Sequence, residues 1–132
     1  MQIQINLTVT DQFLRDVLCT ACEGGSNYWA HFKSLETFAG QFGKEWQKVR
    51  VTEYEDGEKK HAQHVIGLEE MREGVRRMIA RDFTKTESHA IPYSKSAGEV
   101  LIAVVEDDAG NIDADLADLI LQCACLGHIV YG

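Results

Sequence analysis

Two glycines, two hydrogen-bonding residues and two aromatic residues follow one another in Gly24-Gly25-Ser26-Asn27-Tyr28-Trp29. Glycine lets a backbone approach a ligand closely, and the rings of Tyr28 and Trp29 offer flat faces on which a nucleotide-like base could stack. The stretch lacks the Gly-Lys-Ser/Thr of a phosphate-binding loop. A glycine-terminated helix followed by two core aromatics explains the same residues. We therefore interpret the stretch first as packing, and keep Ser26, Asn27, Tyr28 and Trp29 as candidate ligand-binding residues.

Arginines mark a second place where a ligand could bind. Four of them lie on a predicted helix over residues 68–83, namely Arg72, Arg76, Arg77 and Arg81. Guanidinium groups bind phosphates and carboxylates well. Glu69 and Glu73 stand three and four positions before Arg72 and Arg77, so ion pairs along an exposed helix explain much of the pattern. Arg72 and Arg76 are kept as candidates that would complete a nucleotide-like site with Tyr28 and Trp29.

Cysteine and histidine spacing argues against a metal centre. Cys19 and Cys22 form a C-x-x-C, and Cys123 and Cys125 form a C-x-C, but both pairs fall within predicted helices and next to apolar stripes. Two cysteines that are two positions apart on a helix point to different sides of it and cannot easily share zinc. The histidines, His31, His61, His64, His89 and His128, show no ligand spacing. We expect no metal, no cofactor and no enzymatic activity; a small hydrolase or nucleotide-modifying enzyme, with its acid and histidine assembled in space, is the alternative.

Acidic residues dominate the last third of the chain. Residues 96–132 contain seven acids and no Lys or Arg, whereas the first 95 are nearly neutral, and the whole chain carries a net charge of −8. The acids lack the spacing of a calcium loop. We predict a negative surface that binds a partner, formed by Glu106, Asp107, Asp108, Asp113, Asp115 and Asp118. Such a surface disfavours direct nucleic-acid binding and favours a basic protein or nucleoprotein surface.

Hydrophobic periodicity predicts a single α+β domain with a small antiparallel sheet and about three amphipathic helices. The alternation from Ile3 to Val9 predicts a strand, and Thr10 or Asp11 is predicted to cap a helix that ends at Gly24-Gly25. Residues 33–45 are poorly patterned. A hairpin is predicted from a strand over 46–54, an Asp56-Gly57 turn and a return strand over about 60–66.

The second half of the chain predicts two further helices. The first begins at Leu68, and residues 84–98, which include Pro92, read as a loop. The apolar run over 100–105 fits a strand or a helix. A last helix is predicted from Ile112 to Gly127, followed by a terminal strand over 129–131. No apolar run reaches the roughly 20 residues that span a bilayer, and the N-terminus lacks the features of a signal peptide, so we expect a location in the cytoplasm and no membrane partner.

Two stretches resemble small uncharacterised proteins of tailed bacteriophages and prophages. They are the segment Glu23-Gly24-Gly25-Ser26-Asn27-Tyr28-Trp29, with the helix before it, and the ending from Asp118 to Gly132. The resemblance covers about the first 30 and last 20 residues and carries no activity or catalytic residue. It implies a phage accessory protein in the host bacterial cytoplasm.

The resemblance, together with the acidic surface, implies a non-enzymatic phage protein that inhibits a host factor, for example one in an antiviral defence system. It would either occupy a basic groove, for example on a CRISPR effector, or sequester a nucleotide-like signal. A structural or regulatory homo-oligomer, such as a homodimer paired through the terminal strand, is a further alternative.

Overall fold

The computed structural model describes residues 1–54, 62–83 and 93–132. These ranges contain four α-helices and a three-stranded antiparallel sheet, which confirms the α+β class and adds one helix to the predicted three. The helices are α1 (Asp11–Thr20), α2 (Leu68–Ala80), α3 (Ser94–Glu106) and α4 (Ala114–Leu126), and the strands are β1 (Ala30–Gly40), β2 (Gly43–Glu53) and β3 (Gln63–Ile66).

Helix α1 begins where the sequence predicts and ends at Thr20, four residues before the predicted Gly24-Gly25. The hydroxyl of Thr10 accepts a hydrogen bond from the Phe13 amide at 3.2 Å, so Thr10 is the residue that caps the helix. The apolar stripe, which includes Leu14 and Leu18, is buried. Beyond Thr20 the chain makes a wider turn over Ala21–Gly25 before it enters the sheet.

The predicted N-terminal strand is wrong. Residues 1–10 form no strand, and the side chains of Ile3 and Ile5 are 74% and 72% exposed. Alternation produces a strand only where a neighbouring strand can pair with it, and the described strands pair with one another in the order β1-β2-β3. Only the end of this segment is held, because Val9 packs against the core and the Thr10 hydroxyl donates to Asp107 at 3.0 Å.

A long hairpin occupies the region that shows little pattern in the sequence. Strands β1 and β2 pair from Ala30 opposite Glu53 to Gly40 opposite Gly43. The φ of Gly43, at the turn between the strands, is +130°. Most of β1 is exposed on both faces, so its side chains carry no alternation. The predicted return strand is confirmed at Gln63–Ile66, and the predicted turn at residues 56–57 lies outside the described residues.

Helices α2 and α4 approach each other closely in the core. At Gly74 a side-chain carbon would lie 2.5 Å from the carbonyl oxygen of Ile120, so only glycine fits between them. Asp113 caps α4 by accepting from the Leu116 amide at 2.8 Å, and Gly127 ends it at a φ of +79°. Both boundaries of α4 agree with the prediction within about two residues.

Two further predictions in the second half are wrong. Residues 94–98 belong to α3 rather than to a loop. The apolar run over 100–105, for which the sequence left strand and helix open, is part of the same helix. Residues 84–92 of the predicted loop lie outside the described part of the chain. The predicted terminal strand is also wrong, since residues 129–131 form no strand and pair with no strand among the described residues. No helix in the described ranges is long and apolar enough to cross a bilayer.

Candidate functional site

A buried carboxylate joins the two segments that stand out in the sequence. Asp118 on α4 is 5% exposed and accepts four hydrogen bonds. Ser26 and the Trp29 indole donate to its Oδ1 at 2.7 Å each. Tyr28 and Gln122 donate to its Oδ2 at 2.6 and 3.0 Å. All four donors are neutral groups, and together they use the roughly four acceptor positions that a carboxylate offers.

Gln122, one turn after Asp118, holds the C-terminal segment. Its Oε1 accepts from the amides of Val130 and Tyr131 at 2.8 Å each, and its Nε2 donates to the Tyr131 carbonyl at 3.1 Å. The amide of Ile129 donates to the carbonyl of Phe83 at 2.7 Å. These bonds fix the orientation of the Gln122 amide. They also explain why residues 129–131 form no strand, because their amides bond with other groups.

The Tyr131 ring lies against the sheet. It stacks on Trp29 with 5.0 Å between ring centroids and 12° between planes, and its hydroxyl donates to Glu53 of β2. The other oxygen of Glu53 is 2.9 Å from His64 Nε2 on β3. The C-terminal segment, α4 and the sheet thus meet at one place.

A cavity of about 430 Å³ opens beside Asp118. It is lined by Tyr28, Tyr93, Ser96, Asp115, Asp118, Leu119, Tyr131 and Gly132. Three phenol rings and two carboxylates therefore face the same space, and the described lining contains no Lys, Arg or His. We call this the tyrosine cavity.

The candidate ligand residues near the tyrosine cavity have unequal access. Ser26 and Trp29 are buried and do not line the cavity, so they pack beneath it, in agreement with the packing interpretation. Tyr28 is 53% exposed and lines the cavity. Asn27 is exposed, and its carbonyl accepts from the Tyr54 hydroxyl at 2.8 Å. Burial and hydrogen bonding to Asp118 raise the pKa of Tyr28 well above its usual value, so this phenol stays protonated at neutral pH.

The candidate arginines line a different cavity. Arg72 and Arg76 face a groove of about 650 Å³ between α2 and residues 7–9. Arg72 bonds with Glu69 and with Asp11, and Arg76 bonds with Glu73 at 2.6 and 2.8 Å. The structure does not bring these arginines together with Tyr28 and Trp29 in one site. The predicted pairs Glu69–Arg72 and Glu73–Arg77 are both present, whereas the bonds of Arg72 to Asp11 and of Arg76 to Glu73 were not predicted.

Five of the six predicted partner-binding acids are exposed, and we call Glu106, Asp107, Asp108, Asp113 and Asp115 the acidic surface. Asp118 is the correction, since it lies in the interior, where neutral donors surround it. Three of the five also support the fold. Asp107 accepts from Thr10, Asp108 accepts from the amide of Gly110, and Asp113 caps α4. Among the described residues, none pairs with the carboxylates of Glu106 and Asp115.

Exposed apolar side chains precede the acidic surface on α3. Leu101 is 37% exposed, Ile102 57% and Val105 64%, and Glu106 follows directly. Sequence reasoning did not identify these residues, because an unbroken apolar run gives no indication of which members are buried. We call Leu101, Ile102 and Val105 the apolar face of α3.

The cysteines behave as core residues. Cys22 and Cys123 are buried, and all four are free thiols. Burial is the largest cause of a raised pKa at each, to about 11 for Cys19 and about 12 for Cys123 and Cys125. Such thiols are poor nucleophiles at neutral pH. Within the described ranges, no group of three His, Cys, Asp or Glu side chains is placed to hold a metal ion.

Sequence reasoning missed the roles of Gln122, Tyr93 and Tyr131. The sequence does give a signal for Gln122. Asp118 and Gln122 are polar residues four positions apart on a helix whose only other charged residue is Asp115, and buried polar residues need partners. Tyr93 and Tyr131 give no comparable local signal. No protein-family model matches the chain, and neither a curated protein nor a solved structure shows significant similarity to it.

Proposed function

We propose that this protein is a non-enzymatic phage accessory protein that binds a basic surface on a host protein or nucleoprotein complex. The acidic surface, together with the apolar face of α3, is the proposed contact region. The observation that carries the proposal is the adjacency of the two: exposed Ile102 and Val105 lead directly into Glu106, Asp107 and Asp108.

This arrangement suits a protein partner. Stable interfaces commonly have an apolar centre and a polar rim, and charge complementarity at the rim speeds association and selects the partner. Residues 96–132 contain no Lys or Arg that could neutralise the acids. A second copy of this chain would place acids against acids, so a basic partner fits the surface better than a homodimer does.

The host and the process come from the resemblance of the two sequence segments to phage and prophage proteins. A phage protein that acts in the bacterial cytoplasm meets antiviral defence complexes, and those that handle nucleic acid carry basic grooves. We therefore propose a defence complex of this kind as the partner. Direct binding to nucleic acid is not part of the proposal.

A plating assay tests this function. The protein is expressed in bacterial strains that each carry one defence system, and each strain is challenged with a phage that the system blocks. We expect wild type to restore plating in at least one strain. Glu106→Lys combined with Asp115→Lys should abolish the effect, because these two acids carry no capping role and their reversal changes the surface from attractive to repulsive.

Glu36→Lys combined with Glu70→Lys is the matched control, since both residues are exposed, lie outside the acidic surface and give the same change in net charge. This control should inhibit as well as wild type. The proposal is rejected if no strain responds to wild type, or if the Glu106 and Asp115 reversal inhibits fully while its circular dichroism spectrum is native.

A further inference from the structure

The tyrosine cavity has the chemistry of a site for an organic cation. Its described lining combines three phenol rings, of Tyr28, Tyr93 and Tyr131, with the carboxylates of Asp115 and Asp118. The face of an aromatic ring attracts an ammonium group, and nearby carboxylates add to the attraction. Its volume of about 430 Å³ lies within the range of about 300 to 1,000 Å³ that is usual for small-molecule sites.

Each ring is held by its own contact, so the cavity is preorganised. Tyr131 stacks on Trp29, and Tyr93 meets the buried Phe83 edge to face with ring centroids 5.8 Å apart. Tyr28 is fixed by its bond to Asp118. Rings that are already in position lose little conformational freedom when a ligand binds.

The buried carboxylate acts on the cavity without contacting the ligand. The oxygens of Asp118 are occupied by four donors, so Asp118 contributes negative potential rather than a direct bond. The Tyr28 phenol donates to this carboxylate, and hydrogen bonds in such a chain polarise one another. That polarisation increases electron density in the Tyr28 ring, which strengthens its attraction for a cation. Asp115 is exposed at the cavity and is placed to pair with the ligand.

The same features argue against other occupants. A phosphate group would meet two carboxylates and no base in the described lining. An inorganic cation would need several free oxygen ligands, and Asp118 has none left. From this combination we propose that the tyrosine cavity binds an alkylammonium group, either of a free amine or of a lysine side chain. The proposal does not depend on the partner of the acidic surface.

Nuclear magnetic resonance titration tests the proposal directly. The probes are n-butylammonium, choline, a short peptide with one lysine between glycines, the neutral n-butanol, and adenosine monophosphate. We expect a cation to bind with a dissociation constant in the millimolar range, as is usual for so small a ligand, and to shift the signals of Tyr28, Tyr93 and Tyr131. Neutral n-butanol should bind at least about tenfold more weakly.

Two variants and a matched control locate the effect. Asp115→Asn should weaken cation binding about threefold and Tyr93→Leu about fivefold, while Glu106→Gln, which removes an equivalent exposed charge outside the cavity, should change it less than about twofold. Tighter binding of free amines would identify a small molecule as the ligand, and tighter binding of the peptide would identify a protein side chain; both support the proposal.

Three results would overturn it. They are no cation binding at about 50 mM, far above the expected constant; equal binding of n-butanol; and tighter binding of adenosine monophosphate at the same residues. A failure here leaves the plating result of wild type unaffected. Because Asp115 belongs both to the cavity lining and to the acidic surface, Glu106→Lys alone, which lies outside the cavity, tests the acidic surface separately.

Discussion

Replacing Asp118 by asparagine tests whether the buried carboxylate holds the segment over residues 26–29 against α4. The substitution keeps the shape of the side chain and changes one oxygen into an NH₂ group. If the remaining oxygen still accepts from Ser26 and Trp29, the new NH₂ group faces Tyr28 and Gln122, which both donate at this position. The new NH₂ group would then meet two other donors, the Tyr28 hydroxyl and the Gln122 amide, instead of an acceptor.

The loss in the free energy of unfolding depends on whether Tyr28 and Gln122 can reorient to accept a bond from the new NH₂ group. The Tyr28 hydroxyl can rotate and accept a bond, but the Gln122 amide cannot turn over, because its oxygen already accepts from the amides of Val130 and Tyr131. One hydrogen bond to a charged acceptor is lost, at about 1.5 to 3 kcal/mol. Gln122 Nε2 keeps the Tyr131 carbonyl and the Tyr28 hydroxyl as acceptors, so the donor left without a partner is the second hydrogen of the introduced NH₂ group, at about 1 to 3 kcal/mol. Since the removal of a buried charge offsets part of this, we expect Asp118→Asn to lower the free energy of unfolding by about 3 kcal/mol.

Urea unfolding followed by tryptophan fluorescence measures the loss. At a slope of about 1.5 kcal/mol per molar urea, the midpoint should fall by about 2 M with an unchanged slope. The matched control is Asp115→Asn, which removes an exposed acid from the same helix and should cost less than about 1 kcal/mol. A loss below about 1 kcal/mol for Asp118→Asn would refute the argument that these bonds join the segments.

Further changes test packing and ionisation. Gly74→Ala should destabilise the protein by about 2 kcal/mol, because the new methyl group would lie 2.5 Å from the backbone of α4. Gly98→Ala, which has open space around it, should stabilise the protein by about 0.5 to 1 kcal/mol. Denaturant midpoints that move in the same direction for both variants would contradict this pair of predictions. Burial raises the pKa of Cys123 from 9.0 to about 12, so its contribution to stability is complete below pH 9 and declines above it as the unfolded thiol ionises. At pH 10 this one group should have lost about 1.4 kcal/mol, and melting temperatures between pH 8 and 10 should fall less steeply in Cys123→Ala; identical slopes would exclude the thiol as a cause.

Three of the four described helices could be predicted because their signals are local. The periodic apolar residues of α1, α2 and α4 and the capping residues Thr10, Asp113 and Gly127 lie within the elements that they define. The hairpin could not be predicted over 33–45, since β1 is exposed on both faces and is held by backbone pairing with β2, which leaves no alternation in the side chains.

The candidate site was predictable only in part. Tyr28 was predicted from its neighbours as a candidate ligand residue, and it lines the tyrosine cavity, but the cavity also contains Tyr93 and Tyr131, which reach it through the tertiary fold. Asp118 was assigned to the surface because acids are usually exposed. Its burial depends on Ser26 and Trp29, about 90 positions away, and no local pattern reports a contact at that separation.

The bond between Ser26 and Asp118 also bears on the order of events during folding. It closes a loop of 92 positions, so the entropy of bringing its ends together must be lost before the contact contributes anything. Local pairings, such as the β1–β2 hairpin and the first turns of the helices, carry no such requirement and are expected to form earlier. Loss of a contact made after the transition state accelerates unfolding and leaves the folding rate unchanged. The hydrogen bonds of Asp118 to residues 26–29 are therefore expected to form after the transition state. They set the unfolding rate, and so the lifetime of the native state, rather than the folding rate.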